Sequence, residues 1–118
     1  MQGILTALKE SNLFRSIDVI ELIDEDTIKL LKLKARVTDG TLLYIAELHS
    51  PTYQKYSYHW QKEGGEVISR WDNKPHWKAI KTFPHHKHEG DKILPSHRAT
   101  VIDVIQEIKS KVSGVHGF

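Results

Sequence analysis

Two glycine turns constrain this chain more than any other feature. Asp39-Gly40 and Gly64-Gly65 each sit between runs rich in β-branched, leucine and aromatic residues. Glycine supplies the positive φ of a tight hairpin, so each pair marks two antiparallel strands and sets which residues face one another. Side chains alternate across a strand, so the register also says which of them share a face.

Counting outward from Asp39-Gly40 as a two-residue turn pairs Val37 with Leu42, Ala35 with Tyr44 and Leu33 with Ala46. This gives one apolar face and puts Lys32, Lys34 and Arg36 on the other, Arg36 opposite Leu43. Leu43 and Ile45 then point away from the core, as an interface or under a second packed layer. From Gly64-Gly65 the same count pairs Trp60 with Ser69, His59 with Arg70, Tyr58 with Trp71 and Ser57 with Asp72. Tyr56, Tyr58, Trp60 and Trp71 share the core side, where bulky cross-strand pairs stabilise a sheet, and His59, Gln61, Arg70 and Asp72 share the other.

The ends of the chain are helical in pattern. Ile4, Leu5, Leu8 and Phe14 outline a short amphipathic helix, and Val101, Ile105, Ile108 and Val112 form the stripe of a second. Ser96 or Thr100 caps the start of the second helix and Gly114 ends it. Between Asn73 and Ser96, Pro75, Pro84, Gly90 and Pro95 punctuate a polar stretch that reads as loops with one short edge strand. A length of 118 residues suits one domain over residues 1–118. The expected fold class is α+β: a twisted antiparallel meander of four to six strands packed by the N- and C-terminal helices.

The absence of cysteine excludes a disulfide framework, thiolate zinc, an iron–sulfur cluster and a cysteine nucleophile. No apolar run approaches the eighteen or so residues of a membrane span, and the N-terminus lacks the pattern of a secretory signal. The expected setting is the cytoplasm, away from membranes. The formal charge is +2 with neutral histidines, and the eight histidines would add to it on protonation. Such a surface suits an anionic partner.

The chemistry concentrates between residues 59 and 88. Five of the eight histidines, His59, His76, His85, His86 and His88, fall there beside Arg70 and Asp72. One histidine alone is most simply a surface or structural residue; five together with a cross-strand arginine point to proton transfer. Cleavage of an RNA phosphodiester needs a base for the 2′-OH, an acid for the leaving oxygen and positive charge on the developing dianion. His59, a histidine of the 76–88 segment and Arg70 supply these roles, with Asp72 orienting an imidazole.

Trp77 and Phe83 are the loop aromatics available to stack bases, and Lys34, Arg36 and Lys87 are cations available to phosphates. In an extended segment His86 and His88 share one side, so that with Asp72 or His76 they form a three- or four-ligand metal set. Scarce carboxylates and the nearby Lys87 and Lys92 weigh against a cation, so no metal and no cofactor is assigned.

The succession Tyr58-His59-Trp60-Gln61, Arg70-Trp71-Asp72-Asn73, Pro75-His76 and Phe83-Pro84-His85-His86-Lys87-His88 resembles the TumE family of toxins. The resemblance spans essentially the whole chain. It implies a growth-arresting activity and a cognate antitoxin, usually a helix-turn-helix protein. One departure is Trp77, which stands where that family tends to carry a second histidine after Pro-His. The resulting expectation is a metal-independent endoribonuclease toxin acting on an RNA substrate, with a homodimer left open. The alternatives are a non-enzymatic nucleic-acid or protein binding module, a metal-dependent nuclease and a nucleotidyl-transfer toxin.

Overall fold

The structure is a computed structural model that describes residues 2–116. Helix α1 (Gln2–Glu10) ends where Asn12 takes a left-handed φ of 58°, a conformation asparagine tolerates better than most residues. Phe14, expected at the end of this helix, is instead the first residue of a strand.

Seven strands then run in chain order across one antiparallel sheet: β1 (Phe14–Asp24), β2 (Lys29–Val37), β3 (Leu42–Ser50), β4 (Tyr53–Gln61), β5 (Val67–Asp72), β6 (His86–Glu89) and β7 (Lys92–Pro95). Helix α2 (Val101–His116) closes the chain. The α+β meander flanked by two helices is as expected. The strand count exceeds four to six because the segment expected as one edge strand folds as the β6–β7 hairpin, turned at Gly90 with φ 57°. Pro95 is accommodated because β7 is an edge strand.

Both long hairpins turn through three residues rather than two. Val37 N–H donates to Thr41 C=O at 2.8 Å and Gly40 N–H to Val37 C=O at 2.9 Å. Lys62, Glu66 and Gly65 repeat that pattern with the same distances. Gly40 and Gly65 take φ of 92° and 104°, which is why glycine ends each loop. In the first hairpin the longer loop moves the register by one: Arg36 pairs with Leu42, Ala35 with Leu43 and Leu33 with Ile45. Leu43 and Ile45, expected to point outward, are therefore fully buried in the core.

In the second hairpin a bulge at Ile68 takes up the difference. Gln61 pairs with Val67 but Trp60 with Ser69, after which His59–Arg70, Tyr58–Trp71 and Ser57–Asp72 follow as expected. Ile68 packs against the core beside buried Ser69, so the extra residue is absorbed on the helix side.

Both helices cover one face of the sheet. Ile4 and Leu8 of α1 and Val101, Val104 and Ile108 of α2 pack with Leu31, Leu33, Ala35, Leu43, Ile45, Tyr56, Tyr58, Trp60 and Trp71 in a single apolar cluster. Thr100 caps α2: its N–H donates to Asp103 Oδ2 at 2.8 Å, and its hydroxyl accepts from Asp103 N–H at 3.4 Å. Gly114, expected to end α2, lies inside it; one glycine near a helix terminus costs only about 1 kcal/mol. The opposite face of the sheet carries neither helix.

Candidate functional site

The register lays a row of side chains across the helix-free face. Lys34 pairs with Tyr44, Tyr44 with His59, His59 with Arg70, and Arg70 with His88. Directly beside it runs a second row, Ser57, Asp72 and His86. Neighbouring strands lie about 4.8 Å apart, so each row is a continuous line of functional groups. Lys34 Nζ sits 5.9 Å from the Tyr44 ring centroid, and the Tyr44 ring meets His59 edge-on at 6.2 Å.

At the centre Arg70 joins the two rows. Its Nη1 donates to His59 Nδ1 at 3.0 Å and its Nε to Asp72 Oδ2 at 2.9 Å. A guanidinium only donates, so His59 Nδ1 carries the lone pair and Nε2–H donates to Gln61 Oε1 at 3.0 Å. Burial lowers the His59 pKa, the Gln61 bond raises it and the Arg70 charge lowers it again, leaving it below the ordinary value. His59 is thus a neutral ring held in one tautomer.

Asp72 and His86 form a buried pair, both about 2% exposed. His86 Nε2 lies 3.0 Å from Asp72 Oδ1, while Nδ1 donates to the Pro84 carbonyl at 3.1 Å. Burial pushes the Asp72 carboxyl up, but the Lys74 N–H, Arg70 and the His86 charge outweigh it, and the net shift is down.

His88 differs from its neighbours: among the described residues its ring nitrogens have no hydrogen-bond partner, and none of its polar atoms is buried unpaired. Burial and the His86 charge lower its pKa, against a smaller opposing effect of Asp72. The His86 and His88 rings meet edge-on at 4.9 Å, and Trp77 lies edge-on to both at 6.5 and 6.3 Å. These three, with Arg70, Asp72, Lys74 and His76, enclose an open cleft of about 370 Å³.

Of the catalytic candidates drawn from sequence, His59, Arg70, Asp72, His76, His86 and His88 therefore share one face. His85 does not. Strand alternation turns it to the helix side, where Nδ1 lies 2.9 Å from the Tyr56 hydroxyl and the ring stacks on Tyr56 at 5.7 Å. Lys87 is turned the same way, bound to Glu107 of α2 and to Glu89 at 3.3 Å, with its ammonium 5.0 Å from the Trp71 ring centroid. Among the stacking candidates Trp77 borders the cleft. Phe83 lines a neighbouring cleft of about 540 Å³ with Tyr53, and Lys74 and His76 line both clefts. Lys34 lies on the central row; Arg36, on the same face, is tied to the Gly40 carbonyl at 3.2 Å and Glu63 at 3.5 Å.

Sequence reasoning passed over three groups. Tyr44 was assigned to the core because of the displaced register. Lys74, whose N–H donates to Asp72 Oδ1 at 3.0 Å, follows an Asp-Asn pair of the kind that nucleates such a turn. On the helix side, buried Glu47 accepts from the Tyr58 hydroxyl and lies 2.8 Å from His49 Nε2 and 3.9 Å from Arg98. Burial, and then Glu47, push the Tyr58 hydroxyl pKa up. The signal for this network was Glu47's place two residues after Ile45 on the same strand face.

No helix among the described residues is long and apolar enough to cross a membrane. No curated protein and no solved structure matches the chain. A family model described as "Toxin TumE" matches residues 4–114, nearly the whole chain and every residue of the two rows. The chain belongs to the TumE family of toxins.

Proposed function

We propose that this toxin is an endoribonuclease that cleaves single-stranded RNA on the helix-free face of its sheet. The observation that carries the reading is the juxtaposition of Arg70, pinned by two neighbours, with the unpartnered His88 ring on the adjacent strand. A fixed guanidinium matches a phosphoryl group, and an imidazole with a free lone pair beside it takes a proton without first breaking a protein contact.

In this mechanism His88 removes the 2′-OH proton, the 2′ oxygen attacks phosphorus, and Arg70 balances the charge that gathers on the phosphoryl oxygens. His76, exposed on the cleft wall, protonates the departing 5′ oxygen. His59 and Asp72 position Arg70 from either side, and the Asp72–His86 pair fixes the cleft floor. The reaction needs no metal. Trp77 stacks on a base next to the cut, Phe83 and Tyr53 hold a base in the adjoining cleft, and Tyr44 and Lys34 extend the track along the central row. The cognate antitoxin is the partner that family membership implies; a helix-turn-helix antitoxin and toxin homodimerisation are further expectations.

The test is cleavage of a labelled single-stranded RNA by the purified chain in the presence of a chelator. Products ending in 2′,3′-cyclic phosphate, absent with Arg70→Ala and His88→Ala, are the expected result. Intact RNA under conditions where the toxin arrests growth would remove the reading, and stoichiometric binding without a covalent product would favour a binding module.

A further inference from the structure

Asp72, His86 and His88 have a second capacity. One oxygen of Asp72 and one ring nitrogen from each histidine lie within 4.8 Å of one another. We infer that these three residues bind one divalent transition ion of the zinc class, at the floor of the same cleft.

One pair already has the spacing a metal needs, and His88 must close the rest of the 4.8 Å spread. Two ligands on a tetrahedral zinc, each about 2.0–2.1 Å from the metal, are about 3.3 Å apart. His86 Nε2 and Asp72 Oδ1 already stand 3.0 Å apart. The groups that orient metal ligands are also in place. The Pro84 carbonyl holds His86 by Nδ1 at 3.1 Å and so aims Nε2 inward, while Arg70 Nε holds the other Asp72 oxygen at 2.9 Å. His88 has no hydrogen bond to give up, and the open cleft leaves space for water as a fourth ligand.

The residues that weighed against a cation in the sequence are turned away. Lys87 is bound to Glu107 and Glu89 on the helix side, and Lys92 pairs in register with Glu89. Arg70 remains close, but its charge is shared by Asp72 and directed at the oxygen that does not face His86. Two imidazoles and one carboxylate select zinc, cobalt or nickel over magnesium or calcium, which take oxygen ligands.

Occupancy would draw the His88 lone pair onto the ion. That consequence rests on the ribonuclease reading: the bound ion inhibits cleavage by occupying the base. Binding itself is independent of it.

The experiment titrates the full chain, stripped by chelator, with Zn²⁺ by calorimetry and with Co²⁺ by visible absorption. Expected are one ion per chain at micromolar affinity or tighter, a tetrahedral Co²⁺ spectrum, and at least tenfold weaker binding in His88→Ala, or in His88→Asn should the first variant fail to fold. His85→Ala keeps full affinity. No stoichiometric binding, or binding undiminished in folded His88 variants, overturns the site. RNA cleavage that falls with occupancy is the expected companion result; full cleavage at full occupancy would keep the metal site and remove His88 as the base.

Discussion

His86 places Nε2 3.0 Å from Asp72 Oδ1 at the floor of a cleft whose other walls are open to water. The ring faces acceptors at both nitrogens, because Nδ1 is taken by the Pro84 carbonyl. Both ring nitrogens are therefore engaged, and the burial of the pair makes either partner costly to remove. Asp72→Ala strips His86, Arg70 and the Lys74 N–H of their shared acceptor. It should destabilise the fold by about 3 kcal/mol. Urea unfolding measures this, and a loss below about 1 kcal/mol would show that the pair does not hold the cleft together.

His88→Gln separates chemistry from folding. The ring makes no hydrogen bond, so stability should change by less than about 1 kcal/mol. Growth arrest and RNA cleavage should fall by about 100-fold or more, the usual contribution of a general base. Undiminished toxicity in this variant would exclude His88 from the reaction.

His85→Ala tests the side of the sheet rather than the histidine count. His85 contacts Tyr56 beneath the helices, so the variant should retain growth arrest within a fewfold while losing some stability. Abolished toxicity in a stably folded His85→Ala chain would place the active centre on the helix side.

Trp77 is 41% exposed and stands at the cleft mouth. Trp77→Ala should weaken binding of single-stranded RNA by about 1–3 kcal/mol, and Trp77→Phe should restore most of it. Equal affinities, measured by fluorescence anisotropy, would take base stacking out of the account.

Glu107 ties α2 to the sheet and makes stability depend on pH. Burial raises its pKa, but the hydrogen bonds from Lys87 and Ser69 and the charges of Lys87 and Lys111 lower it further, so the folded value is below the ordinary 4.5. Its contribution is fully present above that ordinary value and is lost as pH falls through the depressed one. Glu107→Gln should lower stability at pH 7 by about 1–2 kcal/mol and flatten the loss of stability below about pH 4.5. Thermal melts from pH 3 to pH 7 check the sign; parallel curves for variant and parent would refute it.

Much of the site was legible because alternation along a strand is strict. Once His59 faces Arg70, Gln61 and Asp72 must share that side, and an extended 85–88 segment must separate His86 and His88 from His85 and Lys87. The first hairpin misled because Asp-Gly is compatible with a loop of two or of three residues, and one residue exchanges the faces of Leu43 and Tyr44. The same error in the second hairpin was cancelled at Ile68 by a bulge with no sequence signature of its own. Strands β6 and β7 were hard to see because each is only four residues long, β6 made of histidine, lysine and glutamate and β7 ending in proline, so neither shows a strand pattern of its own. They form because β5 offers an edge, and pairing there turns two imidazoles toward Arg70 and Asp72.

The surplus residue at Ile68 thus acts as the hinge pin of the molecule's polarity. Were it to enter the ladder opposite Trp60 instead of bulging, Trp71 would be carried out into water and a guanidinium and a carboxylate driven in among the tyrosines under the helices. Losing the bulge while keeping its residue would therefore disarm the open face more thoroughly than the loss of any single histidine, without altering a residue of the two rows.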